Sequence, residues 1–140
     1  MELQSCKAGS APWLYEFYRN TGYNRAVADD DYVFYAVADK QKIGVLRISK
    51  ENGCSVLRGM QVLEPYQGQG VGSKLLEYLQ CSYEPGTMYC IPKKHLVNFY
   101  QQIGFEVIES ENAPEFLQDR FNGYVEKGLG VLIMKRESAS

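Results

Sequence analysis

A single mixed α/β domain, its sheet antiparallel at the N-terminal end, is the fold class this sequence predicts. Three observations predict it. Apolar, β-rich runs separated by tight-turn signals fill residues 32–63; helical apolar stripes replace them from residue 70 onward; and a glycine-rich turn joins the two regimes.

The elements follow in order. A short strand is expected around Leu3. Ser10 caps a first helix with Pro12 in its first turn, and Trp13, Leu14, Phe17 and Tyr18 recur at helical spacing as far as Thr21-Gly22. Residues 24–31 carry too little apolar pattern to assign. Tyr32 to Ala38 and Ile43 to Ile48 form a hairpin across Asp39-Lys40; Asn52-Gly53, in which both residues tolerate positive φ, turns the chain into a third strand from Cys54 to Leu63. Val71, Leu75, Leu76 and Leu79 then place one stripe on a helix from Gly70 to Cys81. Thr87 to Ile91 reads as a strand. Pro92 opens a helix with Leu96, Phe99, Tyr100 and Ile103 on one side, and Gly104 sits where a left-handed C-terminal cap belongs. Phe105 to Ile108 and Val131 to Lys135 are the last strands. Between them, Glu109 to Gly130 is long for a connection in a compact domain, with Pro114 to Phe121 as a helix of its own; such an insertion is either a lid or decoration.

Length and composition exclude several classes. The 140 residues suit one domain, 1–140, able to bury a core without staples. The 45% hydrophobic and 23% charged content is that of an ordinary globular chain, and no apolar run is long enough to cross a bilayer. The start, MELQSCKAGS, does not read as a secretion signal, so a cytoplasmic protein is expected. A net charge of −2 without any Lys/Arg run argues against nucleic acid. Four cysteines without a C-x-x-C pair, beside one histidine, are too few soft ligands for zinc, so no metal is expected and the thiols are read as reduced.

The chemistry concentrates in Met60-Gln-Val-Leu-Glu-Pro-Tyr-Gln-Gly-Gln-Gly-Val-Gly-Ser73, where a strand runs through glycines into an amphipathic helix. The first amides of a helix lack partners and the helix dipole adds partial positive charge, so such an entrance holds an anion without a side-chain cation. Gly68, Gly70 and Gly72 let the main chain curl closely around oxygens. A P-loop needs Gly-Lys-Ser/Thr, whereas the chain reads Gly72-Ser73-Lys74; the dinucleotide fingerprint needs a third glycine where Ser73 stands. A tight turn with close packing is the bland alternative.

What the letters do match is Q/R-x-x-G-x-G/A, through Gln67, Gly70 and Gly72, the pyrophosphate signature of the GCN5-related N-acetyltransferases. A second segment, Leu96-Val-Asn-Phe-Tyr-Gln-Gln-Ile-Gly-Phe105, resembles that family's F-Y-x-x-x-G-F helix, in the right order and at a fitting separation. The resemblance implies the acyl-CoA N-acyltransferase fold, antiparallel N-terminal strands with helices packed on both faces. It implies acetyl-CoA as co-substrate, with the main chain of Met60, Gln61 and Val62 pairing with the pantetheine arm and Gln67, Gly68, Gln69, Gly70, Val71, Gly72 and Ser73 cradling the pyrophosphate. Tyr100 aligns with the tyrosine that protonates the departing thiolate; a core tyrosine is its alternative. The implied reaction is direct attack of a primary amine, on a small molecule or a protein, in a ternary complex, with the main chain near Val62 polarising the acetyl carbonyl.

Departures from the family pattern are plain. Gln67 replaces the commoner arginine, Pro65 falls one place late, and Lys93 stands where asparagine is frequent. His95 reads as a surface residue. Cys54 to Leu63 holds no acidic residue to serve as base, leaving Glu64, Glu109 or a water open. Keeping an amine neutral at pH 7 costs about 4.6 kcal/mol for a lysine-like group and about 1.4 for an α-amine, so the gap favours a less basic acceptor. The acceptor site is expected from the first helix and the insertion, whose Tyr15, Tyr18, Tyr23 and Tyr124 suit a cationic or aromatic group or else ordinary packing. A homodimer is compatible with the sequence. The competing functions are a non-catalytic acyl-CoA sensor or regulatory subunit, and an interaction module with a fortuitous glycine turn.

Overall fold

The computed structural model describes residues 1–83 and 86–137. Seven strands and four α-helices among them give the mixed α/β class. They fall into two compact units, Met1–Glu84 and Pro85–Ser140.

The first unit carries β1 (Glu2–Lys7), α1 (Trp13–Thr21), β2 (Tyr32–Ala38), β3 (Gln41–Glu51), β4 (Cys54–Val62) and α2 (Val71–Ser82). β1 pairs antiparallel with β2, β2 with β3 and β3 with β4. Both hairpin turns use two residues at positive φ, Asp39-Lys40 at 52° and 64° and Asn52-Gly53 at 49° and 78°, the twist that matches paired strands. β3 is buried continuously from Ile43 to Ser49 because helices cover both of its faces. Val33 and Val45 pack with Leu14, Phe17 and Tyr18 of α1. On the other face Phe34 meets the rings of Tyr78 and Tyr83, and α2 lies so close to Gly44 that a Cβ there would come within 2.9 Å of Val71. A missing side chain on β3 thus seats the first turn of α2.

The second unit holds β5 (Met88–Cys90), α3 (Val97–Gln101), β6 (Glu106–Ile108), α4 (Glu115–Glu126) and β7 (Ile133–Arg136). β7 lies between β5 and β6, antiparallel to each. Gly104, at φ 96°, closes α3 with its amide on the Gln101 carbonyl, as expected for a left-handed cap.

The strand expected around Leu3 is present as six-residue β1, zipped to β2 from Glu2↔Val37 to Lys7↔Tyr32. Three other expectations are corrected. Ser10 is not the cap of α1: residues 8–10 form a 3-10 turn closed by the Ala11 amide on the Ala8 carbonyl, and Pro12 occupies the cap position without a side-chain bond. The helix does not start at Pro92, because Pro92 accepts from the Leu132 amide, Lys93 bridges Val131 and the Lys94 amide reaches Gly130; only after a 3-10 turn at Lys94–Leu96 does α3 begin. The insertion's helix runs to Glu126 instead of Phe121, anchored by fully buried Leu117 and opened by the Gln118 amide side chain on the Ala113 carbonyl. No helix among the described residues is long and apolar enough to cross a membrane.

Candidate functional site

The strand entering the glycine turn is bulged. Gly44 and Val45 face Val62 and Gln61, but Arg47 faces Arg58, so Gly59 and Met60 together oppose Leu46. Gly59 has φ 65°, and a Cβ there would run into the Tyr18 hydroxyl and the Arg47 guanidinium, so glycine is required for conformation and for space alike. Beyond the bulge, the Leu63 amide donates to the Ile43 carbonyl at 2.8 Å. Antiparallel pairs alternate between bonded and non-bonded, so Val62, one residue back, aims its own N–H and C=O away from β3.

The turn that follows is braced from within. The Gln67 side-chain amide donates to the Val62 carbonyl at 2.9 Å, and that of Gln69 donates to the Pro65 carbonyl at 3.0 Å. Tyr66 donates to Asp39 at 2.8 Å and accepts from Gln41, tying a 3-10 turn at Glu64–Tyr66 to the β2–β3 hairpin. Gly68 and Gly70 adopt φ 77° and 83°, and a Cβ on either would meet nothing within 4 Å, so backbone conformation alone selects glycine there. Gly70 is the cap of α2, offers no side chain, and accepts the first helical bond from Lys74 at 3.0 Å. The amides of Val71, Gly72 and Ser73 therefore precede the helical ladder, at the positive end of a twelve-residue helix dipole. Gln67 to Gly70 are exposed. Lys74 pairs with Glu77 at 3.8 Å with both groups largely in water, the behaviour of a solvated helix face.

In the second unit Tyr100 is buried on α3, its ring edge-on to Phe99 and Phe105 at 5.0 and 6.0 Å. Burial, with the nearby Cys90 thiol adding to it, raises its phenol far above the ordinary tyrosine range, so it keeps its proton at every physiological pH. His95, Lys93, Glu64 and Glu109 are exposed.

One cluster has no counterpart in the sequence reading. Arg47, in the middle of β3, is completely buried. Its Nε donates to Asp31 at 3.0 Å, Nη1 to the hydroxyls of Tyr18 and Tyr23 at 3.1 and 3.4 Å, and Nη2 to the Ala26 carbonyl at 2.9 Å. Tyr18 in turn donates to the Gly59 carbonyl at 2.9 Å. The rings of Tyr18 and Tyr23 pack 4.4 Å apart with their planes tilted by 41°, each about 5.5 Å from the guanidinium carbon. These two tyrosines, expected on the acceptor side, bind a cation that belongs to the chain itself. Desolvation pushes the Tyr18 phenol well up despite the opposing pull of Arg47. The available signal was an arginine in the apolar run Ile43 to Ile48, a position that requires a buried counter-charge.

The sequence matches the acetyltransferase (GNAT) domain over residues 3–118. Among curated proteins none matches it. Solved structures are similar in fold. ElaA from Escherichia coli superposes with a TM-score of 0.65 at 19% identity, over 98% of this chain and 100% of that one. An acyl-CoA N-acyltransferase from Pseudomonas aeruginosa gives 0.68 at 16%, over 97% and 99%. N-acetylglutamate synthase from Neisseria gonorrhoeae, complexed with coenzyme A and N-acetyl-glutamate, gives 0.68 at 14%; this chain is covered in full but spans only 36% of the synthase. With both expected signatures inside the matched residues, the chain belongs to the GNAT acetyltransferase family.

Proposed function

We propose that residues 1–140 act as one acetyl-CoA-dependent N-acetyltransferase domain, using a primary amine on a small molecule or protein as acceptor. The observation that carries this reading is the run of amides at Val71, Gly72 and Ser73 behind left-handed Gly68 and Gly70, a main-chain anion cradle within the matched family domain. Those amides, with Gln67 and Gln69 bracing the turn, are assigned to the pyrophosphate of acetyl-CoA. The main chain of Met60, Gln61 and Val62 is assigned to the pantetheine arm, and the Val62 N–H to the acetyl carbonyl oxygen.

In the reaction the neutral amine forms a C–N bond to the acetyl carbon, the C–S bond breaks, and the thiolate takes a proton from the Tyr100 phenol. The nitrogen's surplus proton leaves to solvent and the phenol is reprotonated from it. The assignment rests on the place of Tyr100 in the Phe99-to-Phe105 segment that resembles the family's second signature; burial keeps the phenol protonated at the operating pH, while the same shift makes it a weaker acid toward the thiolate. The absence of any carboxylate on β4 favours a second reading, an acyl-CoA sensor that binds without turnover.

Calorimetry with acetyl-CoA, followed by assay of free thiol against a panel of amines, tests both. Saturable binding and amine-dependent thiol release are expected. Binding without release would select the sensor, and no saturation at millimolar acetyl-CoA would end the enzymatic reading.

A further inference from the structure

The bulge in β4 costs the strand a ladder position: with two residues opposite Leu46, one peptide unit leaves the β3–β4 pairing. The carbonyl of Gly59 lies there, and the Tyr18 hydroxyl donates to it at 2.9 Å. Tyr18 cannot turn away, because its ring is buried between Phe17 and Tyr23 and its oxygen accepts from Arg47. Arg47 is fixed in its turn by Asp31 and by the Ala26 carbonyl, so segment 22–31, α1 and β3 all converge on one carbonyl of β4. That carbonyl immediately precedes Met60–Val62.

We propose that Tyr18, held by Arg47, is a positioning residue for coenzyme A: its hydroxyl sets the bulge at Gly59 and thereby the phase of the Met60–Val62 main chain that meets the pantetheine arm. This deepens the proposed function and rests on it. A one-residue bulge reverses which peptide groups point toward β3 and which point away, so loss of the bulge would turn the Val62 N–H from the outward to the inward direction. The part assigned to Tyr18 is therefore geometric, exerted through the Gly59 carbonyl.

The network provides its own control. Tyr23 also accepts from Arg47 and packs against the Tyr18 ring, but the hydrogen bond to the Gly59 carbonyl comes from Tyr18. Coenzyme A is titrated calorimetrically into wild type, Tyr18→Phe and Tyr23→Phe, each first shown to be folded by circular dichroism at the titration temperature. The expected result is a dissociation constant raised about tenfold in Tyr18→Phe and changed less than twofold in Tyr23→Phe, as follows from losing one aimed hydrogen bond rather than general packing. Equal affinity in Tyr18→Phe and wild type overturns the proposal, as does an equal loss in both variants, which would make the network purely structural. Should Tyr18→Phe not fold, Arg47→Lys carries the test: it keeps the charge beside Asp31 but withdraws the N–H from Tyr18, and unchanged affinity there is equally fatal. If wild type itself fails to bind, the function has failed and not merely this refinement of it.

Discussion

Replacing Arg47 by methionine should be among the most damaging single changes in the first unit. The guanidinium serves four acceptors, and its partner Asp31 is 4% exposed, so the substitution leaves a carboxylate in the interior with only the Ala28 amide, at 3.1 Å, to hold it. Removing one member of a buried ion pair costs about 3–5 kcal/mol, because the remaining charge stays desolvated. The released hydroxyls of Tyr18 and Tyr23 keep the expectation near the middle of that range, about 4 kcal/mol. At roughly 2.1 cal/mol/K of unfolding entropy per residue, that lowers the melting temperature by about 14 °C. Urea unfolding of Arg47→Met, Asp31→Asn and the double variant measures it. The double variant should cost at least 2 kcal/mol less than the sum of the singles, because removing both charges removes the orphan. A loss below about 1 kcal/mol in Arg47→Met, or strict additivity, would refute the idea that this arginine is a desolvated charge dependent on its partner.

Gly70→Ala forces a side chain into φ 83° with open space around it, so its cost is conformational, about 1–2 kcal/mol; thermal melts and coenzyme A titration should show slightly lower stability and an affinity reduced at least fivefold. Tyr100→Phe should lower kcat about 100-fold with the coenzyme A dissociation constant unchanged, and an unaltered kcat would return Tyr100 to the core. Burial raises the Tyr18 and Tyr100 phenols above their unfolded value of about 10. Above pH 10 the unfolded chain therefore releases protons that the folded chain retains; the stability contributed by these burials is complete below pH 10 and declines as pH rises beyond it. Urea midpoints from pH 9 to 11.5 should fall in wild type and fall less in Tyr100→Phe.

The glycine turn was legible in the sequence because what fixes it is local. Positive φ at Gly68 and Gly70, the apolar stripe of α2 and the two-residue turns at Asp39-Lys40 and Asn52-Gly53 are each specified within a few neighbours. Where tertiary pairing overrode local preference, the reading failed. Pro92 would have opened a helix, but the chain from Pro92 to Lys94 is held against residues 130–132 and stays extended until the 3-10 turn. Likewise, the run of α4 beyond Phe121 gave no strong signal, because the buried residue that anchors the helix, Leu117, lies near its start.

The Arg47 cluster was hidden for a different reason. Its hydrogen bonds span 16 to 29 residues from Arg47, and 41 from Tyr18 to Gly59, distances at which no periodicity operates. A strand covered on both faces also loses the alternation that would have shown which way Arg47 points. Two anomalies nevertheless stood in the sequence: a charge inside an apolar strand and a glycine inside another. The first demands an interior partner and the second permits a bulge. Taken singly each is a minor irregularity, but β3 and β4 are adjacent strands of one hairpin, and pairing from Asn52-Gly53 brings Arg47 opposite Arg58, one residue before Gly59. The register of the hairpin alone therefore places the buried cation beside the glycine that must bulge, which ties the phase of Met60–Val62 to a residue with no direct part in the chemistry.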